Sequence, residues 1–112
     1  MEQITNKPWG RYANLYDSDV YKVKLLWISK GQSISLQKHE KRSEIWTIVQ
    51  GHPLIRKGYR SFPMNPSSTI TIEKGQLHRI TAEIDDVIIL ELQQGECYEE
   101  DIIRLEDKYG RF

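Results

Sequence analysis

Gln37 and His39 stand two residues apart, Glu44 follows five further on, and His78 lies in the later segment EKGQLHRI. On an extended strand, residues two apart project to one face, so Gln37 and His39 can address a common point. Glu44 opens the next strand-like run after the charged turn EKRS, and a hairpin between the two strands would bring it back opposite His39. His78 comes just after Gly75, at another strand start. Two imidazoles, a carboxylate and an amide oxygen make a donor set for a divalent metal, with positions left for substrate oxygens. The competing reading is a solvated face on which Glu44 pairs with Lys41 or Arg42. His52, beside Pro53 after the turn glycine Gly51, reads as a structural edge residue.

The elements that must position these side chains have a period of two. In VYKVKLLWISKG, Tyr21, Val23, Leu25 and Trp27 fall on one face, while Lys22 and Lys24 begin the other before Leu26 and Ile28 take it over. EIWTIVQG, STITIEKG, HRITAEI and DVIILELQQG also read as strands, the last two separated by the turn-prone pair Asp85-Asp86. Gly31, Gly51, Gly58, Gly75 and Gly95 punctuate the chain, and Pro63 and Pro66 mark an irregular connection. CYEEDIIRLEDKYG predicts a short helix, with Ile102, Ile103 and Leu105 as its apolar face and Gly110 as its stop. Many short antiparallel strands predict an all-β sandwich or barrel, whose mouth or interior can hold one small ligand.

A chain of 112 residues supports one core, so residues 1–112 are expected to form a single domain. Sixteen basic residues balance sixteen acidic ones, which gives no field for nucleic acid or an anionic membrane. Cys97 is the sole cysteine, excluding an internal disulfide and a Cys-rich zinc site, and fitting a reducing compartment. MEQITNKPWGRY has no apolar signal region and no run is long enough to span a bilayer, so a cytoplasmic location is expected.

Gly31, Gln37-x-His39, Glu44 and Gly51 together resemble the first motif of the cupin superfamily, with Gln in place of the first His. Gly75-x-x-His78 resembles the second motif. More narrowly, KPWGRY, YKVKLLWISKGQSISLQKH, RSEIWTIVQG, KGQLHRI and QGECYEEDIIRLEDKYGRF resemble the C-terminal domain of type II mannose-6-phosphate isomerases. These bacterial enzymes are often fused to a mannose-1-phosphate guanylyltransferase. The resemblance spans nearly the whole chain, and its tail is the most specific part. It implies a cupin-type double-stranded β-helix, or jelly-roll barrel, with a short C-terminal helix or tail. It also implies zinc held by Gln37, His39, Glu44 and His78, and interconversion of mannose 6-phosphate and fructose 6-phosphate.

The chain departs from the family pattern at several points. Glu40 and Lys41 replace a frequent His-rich run, and Ile45 replaces a frequent His. Glu73 and Lys74 stand where a Pro is usual, and Gln76 and Leu77 replace the usual residues before His78. No expected ligand is lost, but the lining of the pocket changes. With no guanylyltransferase segment ahead of the barrel, that second activity is not expected of this chain.

Aldose–ketose isomerisation proceeds through an enediolate and needs stabilisation of oxyanion charge plus a general base. Glu44 is committed as a ligand, so a lysine or a second carboxylate must serve as base. Lys22 and Lys24 share a strand face and are the candidates, the alternative being that both point to water. For the phosphate, Arg111 in the tail is the preferred candidate, with Tyr109 helping to close the mouth; the alternative is a frayed terminus. Arg79 should face away from the side His78 uses. Trp46 and Ile48 share the Glu44 face and should lie beneath the metal, as cavity lining or as core. Two other functions fit the same residues: a non-catalytic cupin binding a sugar or sugar phosphate, and a cupin enzyme acting on a nucleotide sugar. A homodimer is expected, because a two-sheet barrel has edges and an apolar outer face to cover.

Overall fold

Alternation between buried and exposed side chains runs through the computed structural model, which describes residues 3–96 and 99–110. Among the described residues eleven strands form: β1 (Gln3–Lys7), β2 (Gly10–Asp17), β3 (Tyr21–Ile28), β4 (Leu36–Lys38), β5 (Arg42–Gln50), β6 (Leu54–Lys57), β7 (Arg60–Pro63), β8 (Thr69–Ile72), β9 (His78–Thr81), β10 (Val87–Gly95) and β11 (Ile103–Glu106). They build a six-stranded sheet in the order β1-β2-β3-β10-β5-β8 and a five-stranded sheet in the order β11-β4-β9-β6-β7. Every pairing is antiparallel. This is the double-stranded β-helix of the cupins.

Between the sheets, Leu26, Ile28, Trp46, Ile48, Ile55, Ile72, Ile80, Val87 and Ile89 are buried. Each such aliphatic side chain contributes about 1.5–3 kcal/mol by leaving water. The inner face of the six-stranded sheet changes character along its strands. One cross-strand row is Tyr12, Leu26, Ile89 and Ile48, an apolar layer. The row two residues along is Asn14, Lys24, Glu91 and Trp46; the next is Lys22, Gln93, Glu44 and Ile72. One end of the sandwich is therefore a hydrocarbon core and the other a buried polar layer. Gly95 permits the close approach at the polar end. Its φ is +121°, and a Cβ there would lie 2.5 Å from the Lys41 carbonyl oxygen, beside the start of β5.

Two expectations are corrected. The strands carrying Gln37 and Glu44 do not form a hairpin: β4 pairs with β9 and β11, whereas β5 pairs with β10 and β8 in the other sheet. The short turn from His39 to Lys41 crosses between sheets, so His39 and Glu44 meet across the sandwich interior. The C-terminal helix also gives way. Glu99–Asp101 forms a single 3-10 turn, and Ile103–Glu106 becomes β11, paired antiparallel with β4. The exposed edge of β4 offers unpaired peptide groups that β11 satisfies, which outweighs weak helical patterning. Alternation then sends Ile102 and Arg104 toward the interior and leaves Ile103 and Leu105 exposed.

Candidate metal centre

His39 follows β4, and its Nδ1 lies 3.0 Å from the Asp101 carbonyl oxygen. His78 opens β9, and its Nδ1 lies 3.0 Å from the Gln76 carbonyl oxygen. A carbonyl only accepts, so in each ring Nδ1 carries the proton and Nε2 presents its lone pair. Both lone pairs turn toward Glu44. His39 Nε2 is 3.3 Å from one carboxylate oxygen and His78 Nε2 is 3.9 Å from the other. One ligand atom from each of the three residues lies within 4.8 Å of the others. Burial, reinforced at His39 by the Arg42 charge, lowers both imidazole pKa values to about 4. The rings are thus neutral, the form that binds a metal, with outer hydrogen bonds fixing the tautomer.

Glu44 is held from two further sides. Arg42 Nε donates to it at 3.1 Å and the Trp46 indole N–H at 2.9 Å. Because His39 is neutral, Arg42 is the charge partner of Glu44. The same guanidinium reaches His39, with Nη2 3.0 Å from Nε2. The Trp46 N–H is shared with a second carboxylate, Glu91, at 3.2 Å, and Gln93 Nε2 donates to Glu91 at 2.8 Å. Burial, and after it the neighbouring Glu44, push the Glu91 carboxyl up to about 7. Lys24 stands opposite Glu91 on β3 and over the Tyr12 ring, 4.4 Å from its centroid.

Glu44, Arg42, Glu91 and Gln93 border a cavity of about 80 Å³ that Gln37, Lys24, His78 and Arg104 also line. Gln37 sits opposite His78 in the paired strands, and its amide nitrogen donates to the Ser35 hydroxyl at 3.1 Å, leaving the amide oxygen as acceptor. Two neutral imidazole nitrogens, a carboxylate and an amide oxygen fit a first-row divalent ion. Arg42 uses the His39 lone pair that such an ion needs, so metal and guanidinium compete for that nitrogen.

The family described as Mannose-6-phosphate isomerase C-terminal matches residues 1–107. The chain belongs to this family. Curated relatives include the xanthan biosynthesis protein XanB of Xanthomonas campestris, 31% identical over 107 residues. That match covers 94% of this chain and 23% of XanB. The alginate biosynthesis protein AlgA of Pseudomonas aeruginosa is 32% identical, with coverage of 94% and 22%. The chain thus spans about a quarter of the length of the curated relatives it matches. Among solved structures, CapF of Staphylococcus aureus, a capsular polysaccharide assembling protein, superposes with a TM-score of 0.82 at 15% identity, over 95% of this chain and 34% of CapF. KdgF from a Halomonas species gives 0.77 at 13% identity, over 88% and 89% of the two chains. At such identities these two establish the fold.

Against this family member's geometry, the residues singled out from sequence divide clearly. Gln37, His39, Glu44 and His78 converge at one place. Lys24 is buried and lines the cavity, whereas Lys22 stands 3.9 Å from Asp17 and is not among the lining residues. The Tyr109 hydroxyl donates to Gln32, and its ring packs on the apolar core away from the cavity. Arg111 lies outside the described residues. Arg79 meets Glu106 at 3.7 Å and also stands off the cavity. Trp46 lies beneath the carboxylates as a fully buried core residue.

Sequence patterning does not single out Glu91, Gln93, Asp101 or Arg104, and it offers Arg42 only in the competing reading, as one of two solvated partners for Glu44, whereas Arg42 is buried. A signal existed for the first two: in DVIILELQQG, Glu91 and Gln93 continue the inward-facing register of Val87 and Ile89. Asp101 carries no such signal. Its carboxylate accepts the backbone N–H groups of Glu40 and Lys41 at 3.0 and 2.8 Å, and its carbonyl orients His39. No helix among the described residues is long and apolar enough to cross a membrane.

Proposed function

We propose that this chain interconverts mannose 6-phosphate and fructose 6-phosphate with a divalent ion, zinc by preference, held by His39, His78, Glu44 and Gln37. The observation that carries this reading is the convergence of two tautomer-fixed imidazoles on one buried carboxylate, beside a second carboxylate facing the same cavity. Membership in the mannose-6-phosphate isomerase C-terminal family supports the reaction. When bound, the ion supplies Lewis-acid stabilisation of negative charge on the sugar oxygens. The remaining tasks fall to the chain's own side chains. The reaction moves one proton between adjacent carbons, so a group must accept it and return it. Glu91 is suited to that exchange, because its carboxyl is poised near neutrality inside the cavity. Trp46 fixes the orientation of both carboxylates through one indole N–H. Lys24, facing Glu91, offers a cation to a sugar oxygen as charge develops.

A coupled assay for fructose 6-phosphate formation tests the reading. Turnover should require added zinc and vanish on chelation. No turnover with a full complement of metal would end it. A second reading, a cupin that acts on or regulates a nucleotide sugar, draws on relatives such as the mannose-1-phosphate guanylyltransferase ManC of Salmonella typhimurium, 28% identical. Saturable binding of a nucleotide sugar without isomerase turnover would favour it.

A further inference from the structure

Residues from two sheet edges line the cavity. β1 is the outer strand of the six-stranded sheet and β11 the outer strand of the five-stranded sheet, and both contribute lining residues. Lys7 ends β1, and Arg104 stands on β11 opposite Gln37. Two further cations, Lys24 and Arg42, line the interior against two carboxylates, Glu44 and Glu91. Positive charge therefore exceeds negative around this space, although the whole chain is neutral.

Arg104 Nε and Arg42 Nη1 are buried and have no hydrogen-bond partner among the described residues. Buried guanidinium N–H groups are costly to leave unmatched and are rarely left so. The guanidinium fork matches the paired oxygens of phosphate or carboxylate, and of the two the sugar phosphate of the proposed reaction carries phosphate. Size adds a constraint. A space of about 80 Å³ is well below the ~300 Å³ at which ordinary small-molecule pockets begin. A whole sugar phosphate exceeds such a space, so only part of it can enter.

We propose that Arg104 and Lys7, on facing edge strands, form a phosphate-type oxyanion subsite at the cavity mouth, with Arg42 Nη1 supplying a donor from within. This deepens the isomerase reading and rests on it for the identity of the sugar, but not for the anion. It also gives the C-terminal strand a direct part in ligand recognition, in addition to covering the edge of β4.

Titration calorimetry on the full chain, with mannose 6-phosphate, mannose and inorganic phosphate as probes, tests the subsite. Mannose 6-phosphate should bind at least tenfold tighter than mannose, and inorganic phosphate should displace it. Arg104→Met should weaken mannose 6-phosphate and phosphate tenfold or more while zinc uptake stays unchanged, and Arg104→Lys should recover part of the loss. Lys7→Met provides the same reading from the opposite lip should Arg104→Met fail to fold. Unchanged phosphate affinity in Arg104→Lys and Lys7→Met, or an equal loss for mannose, overturns the subsite. An unaltered KM for mannose 6-phosphate in Arg104→Met removes the subsite and leaves the isomerase reading intact. Arg104-dependent phosphate binding without turnover does the reverse.

Discussion

Two histidine–carboxylate pairs sit at different places in this molecule, and the closer pair is the chemically plainer one. His52 Nδ1 lies 2.7 Å from Asp85, yet the two side chains keep 50% and 38% of their exposure. His39 and Glu44 approach only to 3.3 Å, but each keeps 2%. At the first pair, the His52 hydrogen bonds hold the Asp85 carboxyl below its usual range, and water screens the rest. At the second, desolvation keeps the imidazole neutral, with its Nε2 lone pair directed at the cluster around Glu44. A second histidine, an arginine and a tryptophan then converge on the same carboxylate. Burial and the number of converging partners, more than separation, distinguish a site from a surface contact.

The sharpest way to break the contrast is Glu44→Ala. It removes the proposed carboxylate ligand and strands the Arg42 charge in the interior, at a cost of about 3–5 kcal/mol. Chemical unfolding should register that loss, and zinc titration should show no high-affinity uptake. His39→Ala should weaken zinc at least as much as the ~10–100-fold typical of losing an outer-shell partner.

Acid provides a test of the burial argument in the metal-free protein. His39 and His78 sit near pKa 4 when folded, against 6.5 as free side chains. Below pH 6.5 the unfolded chain takes up protons that the folded chain refuses. Stability is therefore full above 6.5 and drains as pH falls toward 4. Glu91 acts in the opposite sense: its folded pKa of about 7 exceeds 4.5, so its contribution is present below 4.5 and is lost as pH rises through 7. The urea midpoint should fall between pH 6.5 and 4, and Glu91→Gln should make that fall steeper. A flat profile would mean that the imidazoles are hydrated.

Smaller effects come from the supports. Asp101→Ala leaves the Glu40 and Lys41 N–H groups without their carboxylate and should cost about 1 kcal/mol. It should also loosen zinc by roughly tenfold through the freed turn. His52→Ala should be the mildest change, with zinc affinity as in the parent protein. A drop there equal to that of His39→Ala would erase the distinction between the two pairs.

Much of this was legible in the residues. Period-two patterning located β3, β5, β8, β9 and β10, and the motif spacing picked out four side chains that converge. The β4–β5 hairpin was misjudged because consecutive strands usually pair, and the same short turn serves equally well to cross between sheets. The C-terminal helix was misjudged because a few apolar residues at mixed spacing fit either period, and only the bare edge of β4 chooses between them. Glu91 shares the alternation of Val87 and Ile89, but only the pairing of β10 with β3 and β5 sets it beside Lys24 and Trp46.

The sequence by itself determined five of the strands, the family and the identities of His39, Glu44 and His78, since these follow from local alternation and residue spacing. Which lone pairs face inward, which carboxylate stands beside them and which arginines lack partners were decided by tertiary structure. Such properties depend on desolvation and on hydrogen bonds between residues as far apart as His39 and Asp101, and no local pattern encodes them.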